Sequence, residues 1–493
     1  MNLRQLAAKG VVWSIFQKWG REAITFLTFI ALSRMLDPIA FGLVALASAF
    51  TAFIEIFLDQ GFSAAIVQRA DLEPEHLDTA FWISTLTGIL LAVAGVAVSG
   101  LVASFYNEPN LAPVLMWLSI GFVFVALSST QAAILQRKLA FKSLAARSLT
   151  ATIVGGIVGV GMAIAGFGVW SLVGMNLARG FAGLIVLWQA SDWRPGFHVS
   201  KRHYKELFSF GVSVAGSNVL KVFVRRSDDF LIGYFLGPVM LGYYTIGYRL
   251  LLAIIRLVTG IINAVAFPTF SRLQHNPKRM RSTFYKVTQY ISLIALPVFI
   301  GLAVIAPELV PAVFGEQWIP SVPVMQILAL IGIIQSMLLL NGSVMRATGK
   351  PSWQFGIMLL NTAVTVIAFM LVVRWGIVAV AASFVIVGYL LAPVSYFAMN
   401  KLIQLDFRTF VKQFITPLTA SLLMVVVIFA LKYTLRDQGL HLYVQLAIYL
   451  VAGAITYLLV VGLTARSLSW QVLELVGLAF PRVNQYIRIR GEH

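Results

Sequence analysis

Residues 32–46, LSRMLDPIAFGLVAL, and residues 232–246, IGYFLGPVMLGYYTI, carry one pattern twice, 200 positions apart. Leu36, Pro38 and Gly42 of the first copy stand against Leu236, Pro238 and Gly242 of the second, and upstream Gly10 pairs with Gly211 if one gap is allowed. In each copy an apolar run enters the pattern and another leaves it, so Pro and Gly punctuate a tight turn between two helices. The chain reads as an internal duplication in which this turn closes the first hairpin of each half.

The flanking runs are long. A hydrocarbon core about 30 Å thick takes about 20 apolar residues per helix. Fourteen such runs are read along the chain, near 11–33, 41–67, 79–104, 112–134, 148–167, 169–190, 207–235, 240–266, 287–306, 322–345, 355–373, 376–400, 413–431 and 442–464. These long uniform runs lack the period of two that barrel strands require. Of 493 residues, 59% are hydrophobic and 11% charged, against roughly a half and a quarter in soluble domains. That balance excludes a soluble enzyme and a disordered chain. The lack of cysteine excludes a disulfide scaffold, a thiol nucleophile and a Cys-based metal site.

The fold class expected is therefore all-α integral membrane, with 14 transmembrane helices in two pseudo-symmetric six-helix lobes plus two C-terminal helices. Its parts are an N-lobe over 1–195, a cytoplasmic inter-lobe linker over 196–205, a C-lobe over 206–402, the last two helices over 403–465 and a cytoplasmic tail over 466–493. An even number of spans per repeat inserts both halves with one orientation, related by an axis along the membrane normal.

Cations set that orientation, because Lys and Arg in short loops are retained in the cytoplasm. With the N-terminus inside, 25 of the 37 Lys and Arg fall in inside loops and tails; four (Arg34, Arg374, Lys432 and Arg436) fall outside, and eight lie within spans. Both termini are expected to be cytoplasmic. Much of the net charge of +18 then reads as a topogenic signal near anionic headgroups, without nucleic-acid binding. The first span is too long for a signal-peptide core and no small-residue cleavage site follows it, so it is expected to stay in the chain.

Catalytic motifs fail. The longest outside loop, 307–321, is too small for the extracytoplasmic domains on which membrane glycosyltransferases build their sites. GSVMRATGKP, residues 342–351, has too many residues between its glycines for a phosphate loop and Pro351 where Ser or Thr is needed, so it reads as a turn. The six histidines are read in loops or at the C-terminus without metal-ligand spacing, and no catalytic group or metal site is expected. Trp13, Trp82, Trp117, Trp170, Trp188, Trp193, Trp318 and Trp353 read mostly as interfacial anchors. The tail from Arg466 reads as a short helix on the membrane surface.

Eight cations lie inside spans: Lys18, Arg21, Arg179, Lys221, Arg225, Arg226, Arg249 and Arg256, together with the acids Glu22, Glu55, Asp59, Asp228 and Asp229. Each charge at a helix centre opposes insertion by about 2.5–3.5 kcal/mol, so the set must face water or oppositely charged partners. Ser213, Ser217, Lys221 and Arg225 recur every four residues on a face that continues to Asp228 and Asp229; Thr245, Arg249, Arg256 and Asn263 keep to one face of the next helix. One reading is of salt bridges that fasten helices, Lys18 with Glu22 and Arg225 with Asp228 or Asp229. Arg179 and Asp59 read as packing or interfacial groups. The other reading takes the excess of three cations as a site for an anion. Lys18, Arg21, Lys221, Arg225, Arg226, Arg249 and Arg256 then line a cavity between the lobes in which guanidinium forks grip phosphate oxygens. Glu22, Glu55, Asp228 and Asp229 become candidate carriers of a coupling proton or sodium ion.

FLDQGFSAAIVQR at 57–69, LSRMLDPIAFGL at 32–43, DDFLIGYFLGPVMLGYYTIGYRL at 228–250 and VFGEQWIPSVPVMQILAL at 313–330 together resemble the polysaccharide-transporter branch of the multidrug/oligosaccharidyl-lipid/polysaccharide exporter superfamily, the Wzx-type flippases. The resemblance runs through all fourteen spans. It implies a multi-pass protein of the bacterial inner membrane that moves an undecaprenyl-pyrophosphate-linked oligosaccharide repeat unit from the cytoplasmic to the periplasmic leaflet by alternating access, for O-antigen or exopolysaccharide assembly. Such a protein is a transporter and not an enzyme, with no cofactor beyond a coupling H+ or Na+. Its implied partners are the lipid-linked oligosaccharide, membrane lipids, a polysaccharide polymerase and glycosyltransferases. Two rivals stand beside it: a cation-coupled multidrug exporter of the same superfamily, for which an acidic cavity is expected, and a non-transporting scaffold for polysaccharide synthesis, which needs no buried charge.

Overall fold

The computed structural model describes the backbone of residues 3–59, 61–69 and 71–464, and the side chains of these except 3–18, 59, 209–225 and 257–265. Lys18, Asp59, Ser213, Ser217, Lys221, Arg225, Asn263 and the expected tail helix lie outside the residues whose side chains are described.

The described elements are helices throughout. They run α1 (Leu3–Met35), α2 (Pro38–Asp59), α3 (Phe62–Gln68), α4 (Pro74–Phe105), α5 (Leu111–Ser119), α6 (Gly121–Arg137), α7 (Phe141–Ile164), α8 (Val169–Ala190), α9 (Lys201–Arg272) and α10 (Pro277–Phe314). After a 3-10 turn at Glu316–Ser321 come α11 (Val322–Met337), α12 (Asn341–Ala347) and α13 (Pro351–Val372). A second 3-10 turn at Val373–Trp375 leads to α14 (Ile377–Ile403), α15 (Phe407–Leu435) and α16 (Leu442–Thr464).

Twelve helical stretches among the described residues are long and apolar enough to cross a membrane, and the chain is a multi-pass membrane protein. Leu101, Ile164 and Leu371 on such helices are 71, 73 and 71% exposed, a disposition that suits hydrocarbon. Hydroxyls within the spans turn inward on their own helix: Ser128 donates to Phe124 O at 2.6 Å, Thr152 to Ser148 O at 2.8 Å and Ser336 to Gly332 O at 2.7 Å. Such bonds keep polar atoms satisfied where no water can reach them.

The expected seventh and eighth spans lie within α9 as two helices that meet at a kink at Gly237, whose φ of 80° and ψ of 175° are not helical, between the two expected runs. The 307–321 segment is not an open loop. Its first part completes α10, whose interior holds Pro297, Pro307 and Pro311, and the rest is the 3-10 turn. Trp318 in that turn is fully buried instead of anchoring at an interface, because its indole fills a gap among other aromatic rings.

Helix starts follow local chemistry. Asp37 caps α2 by accepting from Ala40 N at 2.8 Å, with Pro38 in the first helical position. Asp406 caps α15 by accepting from Thr409 N at 2.7 Å, and the Thr409 side chain together with that backbone bond holds its carboxyl below the usual carboxylate range. Histidines also depart from the expected loops. His76 sits in the first turn of α4 and His203 in the first turn of α9, because both helices begin several residues before their apolar runs.

The chain divides into two compact units. The first comprises Met1–Ile246, Val313–Trp318 and Val366–Val380; within it α7 packs on α8 and α1, and α4 packs on α5 and α6. The second comprises the remainder. Its core includes Ile305, Ala420, Met424, Ile428, Leu446 and Tyr457, and the Tyr457 hydroxyl donates to Leu293 O at 2.7 Å.

Candidate functional site

The duplicated turns meet each other in the first unit. A Cβ built on Gly42 would overlap the Pro238 carbonyl, and one on Gly242 would overlap the Pro38 carbonyl. The contact is reciprocal, so the residues shared by the two copies are the ones that touch. Only glycine permits this approach of backbone to backbone at both positions.

Segment 313–318 seals the neighbouring end of α1. Trp318 Nε1 donates to Ser33 O at 2.7 Å, Gln317 Nε2 donates to Ser33 O at 2.7 Å and Leu36 O at 3.1 Å, and Arg34 Nε donates back to Val313 O at 2.9 Å. These bonds occupy carbonyls that a helix end leaves without intrahelical partners. The Trp318 ring stands edge-on to Phe41 at 5.3 Å and Tyr243 at 6.0 Å, and Phe29 contacts Phe41 and Phe314.

Charged residues follow in the same unit. Arg226 Nη1 lies 2.8 Å from Asp229 Oδ2. Asp228 and Asp229 are each 7% exposed. Asp228 accepts from its neighbour's backbone N–H at 3.0 Å and from the Tyr244 hydroxyl at 3.2 Å; Glu55 on α2 lies within the electrostatic reach of Arg226. On α1, Arg21 Nη2 lies 3.3 Å from Glu22 Oε1, and the Arg21 guanidinium is close enough to repel that of Arg179 on α8. Arg249 and Arg256 belong to the second unit and are exposed, and Arg256 Nε donates to Leu252 O at 3.2 Å.

The structure thus brings Arg226 together with Asp229 and Asp228, and Arg21 together with Glu22. The pairings expected for Lys18 and Arg225 fall on residues outside the described side chains. Of the charges expected inside spans, the described residues of the first unit include three cations (Arg21, Arg179 and Arg226) and four acids (Glu22, Glu55, Asp228 and Asp229). A charged pair held this way tolerates burial because each partner supplies what the lost water had supplied.

Several polar groups escaped the sequence reading. Tyr244 carried no charge to flag it. Lys432 and Glu308, 2.7 Å apart in the second unit, are separated by more than a hundred residues, and Lys432 read as an outside-loop cation. A cluster on α4 and α9 was missed as well: Glu206 takes Arg69, Arg202 and His76 as partners, and the hydrogen bonds from His76 and Arg202 hold its carboxyl down at about 2. His203 Nε2 lies 2.9 Å from Glu73 Oε2.

Known proteins agree with this architecture. The model of a family described as "Polysaccharide biosynthesis protein" matches residues 31–323. The chain is 27% identical over 456 residues to the teichuronic acid biosynthesis protein TuaB of Bacillus subtilis (strain 168), covering 91% of this chain and 94% of that one. It is 26% identical over 449 residues to the lipopolysaccharide biosynthesis protein WzxC of Escherichia coli (strain K12), covering 89% and 90%. Among solved structures, the lipid II flippase MurJ in an inward closed conformation shares the fold, with a TM-score of 0.77 at 13% identity over 93% of this chain and 99% of that chain.

Proposed function

The chain belongs to the polysaccharide biosynthesis protein family, and from that premise we propose that it is a Wzx-type flippase of the bacterial inner membrane. It moves an undecaprenyl-pyrophosphate-linked oligosaccharide repeat unit from the cytoplasmic to the periplasmic leaflet for surface polysaccharide assembly. The observation that carries this reading is the breadth of the likeness: a family match over residues 31–323, together with near full-length similarity to two surface-polysaccharide biosynthesis proteins. The fold shared with a lipid II flippase supports it. The reading keeps fourteen spans, two six-helix lobes and cytoplasmic termini, and it assigns the chain transport and not catalysis.

In this reading Lys18, Arg21, Lys221, Arg225, Arg226, Arg249 and Arg256 supply the contacts to the pyrophosphate. Arg forks suit it, since two parallel N–H donors match two phosphate oxygens. Arg226 joins by exchanging Asp229 for the ligand. The turns at 36–42 and 236–242, with Trp318 over them, form the barrier on the periplasmic side, and alternating access requires that this barrier open when the cytoplasmic side shuts.

Coupling falls to the acids. Asp228, buried beside Asp229, forms no ion pair with a guanidinium among the described residues, and its contacts are hydrogen bonds. It suits the exchange of H+ or Na+, with Glu22, Glu55 and Asp229 as further candidates. In proteoliposomes Asp228→Asn is expected to remove the dependence of transport on an imposed ion gradient; wild-type transport insensitive to both gradients overturns the coupling.

The experiment for the cationic site is charge removal at Arg225, Arg249 and Arg256 together, followed by surface-polysaccharide complementation. Loss of polysaccharide with normal membrane levels of the variant is expected. Full complementation by the triple variant overturns the site.

A further inference from the structure

Glu73, His76 and His203 converge in the first unit, although 127 residues separate the two histidines in sequence. Glu73 is the N-cap of α4 and His76 its third helical residue. His203 stands in the first turn of α9. One nitrogen from each histidine and one Glu73 carboxylate oxygen all lie within 4.8 Å of one another. The two rings are 4.3 Å apart between centroids. Both are buried, His76 to 1% exposure and His203 to 8%.

Hydrogen bonding fixes one histidine and leaves the other incomplete. The Glu73 backbone N–H donates to His76 Nδ1 at 3.2 Å, so Nε2 carries the proton and donates to Glu206 Oε2 at 3.1 Å. His76 is therefore a neutral imidazole. His203 places Nε2 at 2.9 Å from Glu73 Oε2, while its Nδ1 is buried and has no hydrogen-bond partner among the described residues. A neutral ring that donates from Nε2 leaves a bare lone pair at Nδ1, and a protonated ring leaves a bare donor there. Either way a buried polar atom goes unsatisfied, which a bound ligand would relieve.

We propose that Glu73, His76 and His203 form a binding site for one divalent transition-metal ion of the Zn2+ type. Two imidazoles and a carboxylate are the donor set that such an ion takes, with bonds of about 2.0–2.2 Å. Ligand atoms already within 4.8 Å close around it by side-chain adjustment alone. His76 ligates as a neutral imidazole through its Nδ1 lone pair, giving up the bond from the Glu73 N–H and keeping its Nε2–H donated to Glu206, an outer-shell carboxylate that holds the ring. Glu206 keeps Arg69 and Arg202, at 2.5 and 3.0 Å, so its charge stays compensated. Glu73 forms no ion pair with a guanidinium among the described residues, and its carboxylate is the anionic ligand left for the metal. The bound ion would staple the start of α4 to the start of α9, and the site is independent of the transport reading.

The test uses untagged full-length protein in detergent, stripped with a chelator and titrated with Zn2+ against a chromophoric competitor. Wild type is expected to bind one equivalent. His203→Ala and Glu73→Gln are each expected to weaken binding by about 100-fold or more, since losing a ligand costs more than the 10–100-fold typical of its outer-shell partners. Glu73→Gln keeps the side-chain volume and guards against a variant that merely fails to fold. As a second readout, Zn2+ should shield His76 and His203 of the wild type from diethyl pyrocarbonate, as read by mass spectrometry. The absence of saturable binding, or binding of equal strength in both variants without shielding, overturns the site.

Discussion

The two copies of the repeated turn reach the same contact by different means. In the first, α1 stops at Met35, Asp37 caps α2 through Ala40 N, and Pro38 begins the next helix. In the second, Gly237 at φ 80° and ψ 175° breaks the run between two helices, in the position that Asp37 holds in the first. Position 37 is exposed and free to differ. Pro38, Gly42, Pro238 and Gly242 press on one another and are the same in both. What the duplication retains is the surface of contact, and what it lets drift is the chemistry that bends the chain.

Five substitutions test this difference, each read as the change in thermal unfolding of the purified protein in detergent. Gly42→Ala and Gly242→Ala should cost most, about 3 kcal/mol each, because the added methyl meets a backbone carbonyl that cannot swing aside. Equal losses at the two positions would support the reciprocity, and a large loss at only one would break it. Gly237→Ala is expected to cost about 2 kcal/mol, since that backbone conformation belongs almost wholly to glycine. Asp37→Ala should cost about 1 kcal/mol through the lost cap. Asp37→Gly, which places in the first copy the residue of the second, should cost only about a few tenths of a kcal/mol. If Asp37→Gly proves as damaging as Asp37→Ala, the two turns are not interchangeable in the way described.

Much of the fold was legible because hydrocarbon imposes one simple demand, long apolar helices, and the sequence meets it openly. Pro38, Gly42 and their counterparts betrayed the repeat through identity at a fixed offset. Trp318 did not reveal its burial. A tryptophan near a span end looks alike whether it meets headgroups or plugs a gap beside Ser33. Helical spacing showed that Asp228 and Asp229 lie near a basic face but gave no way to predict Arg226, at i−3 from Asp229, as a partner; the spacing pointed to Arg225. His76 and His203 were invisible as a pair, because their approach depends on how the first turns of α4 and α9 pack, and no local pattern encodes it. Lys432 and Glu308 failed for the same reason.

Movement of a lipid-linked oligosaccharide across a membrane can be followed directly. Its most direct measurement places undecaprenyl-pyrophosphate-linked oligosaccharide in proteoliposomes containing the purified protein and follows how fast the sugar on the far leaflet becomes accessible to an external lectin. Accessibility is predicted to rise well above that of protein-free liposomes and to fall back toward it when Arg225, Arg249 and Arg256 are neutralised together. A rate in the wild-type proteoliposomes equal to the protein-free rate would contradict transport by this chain.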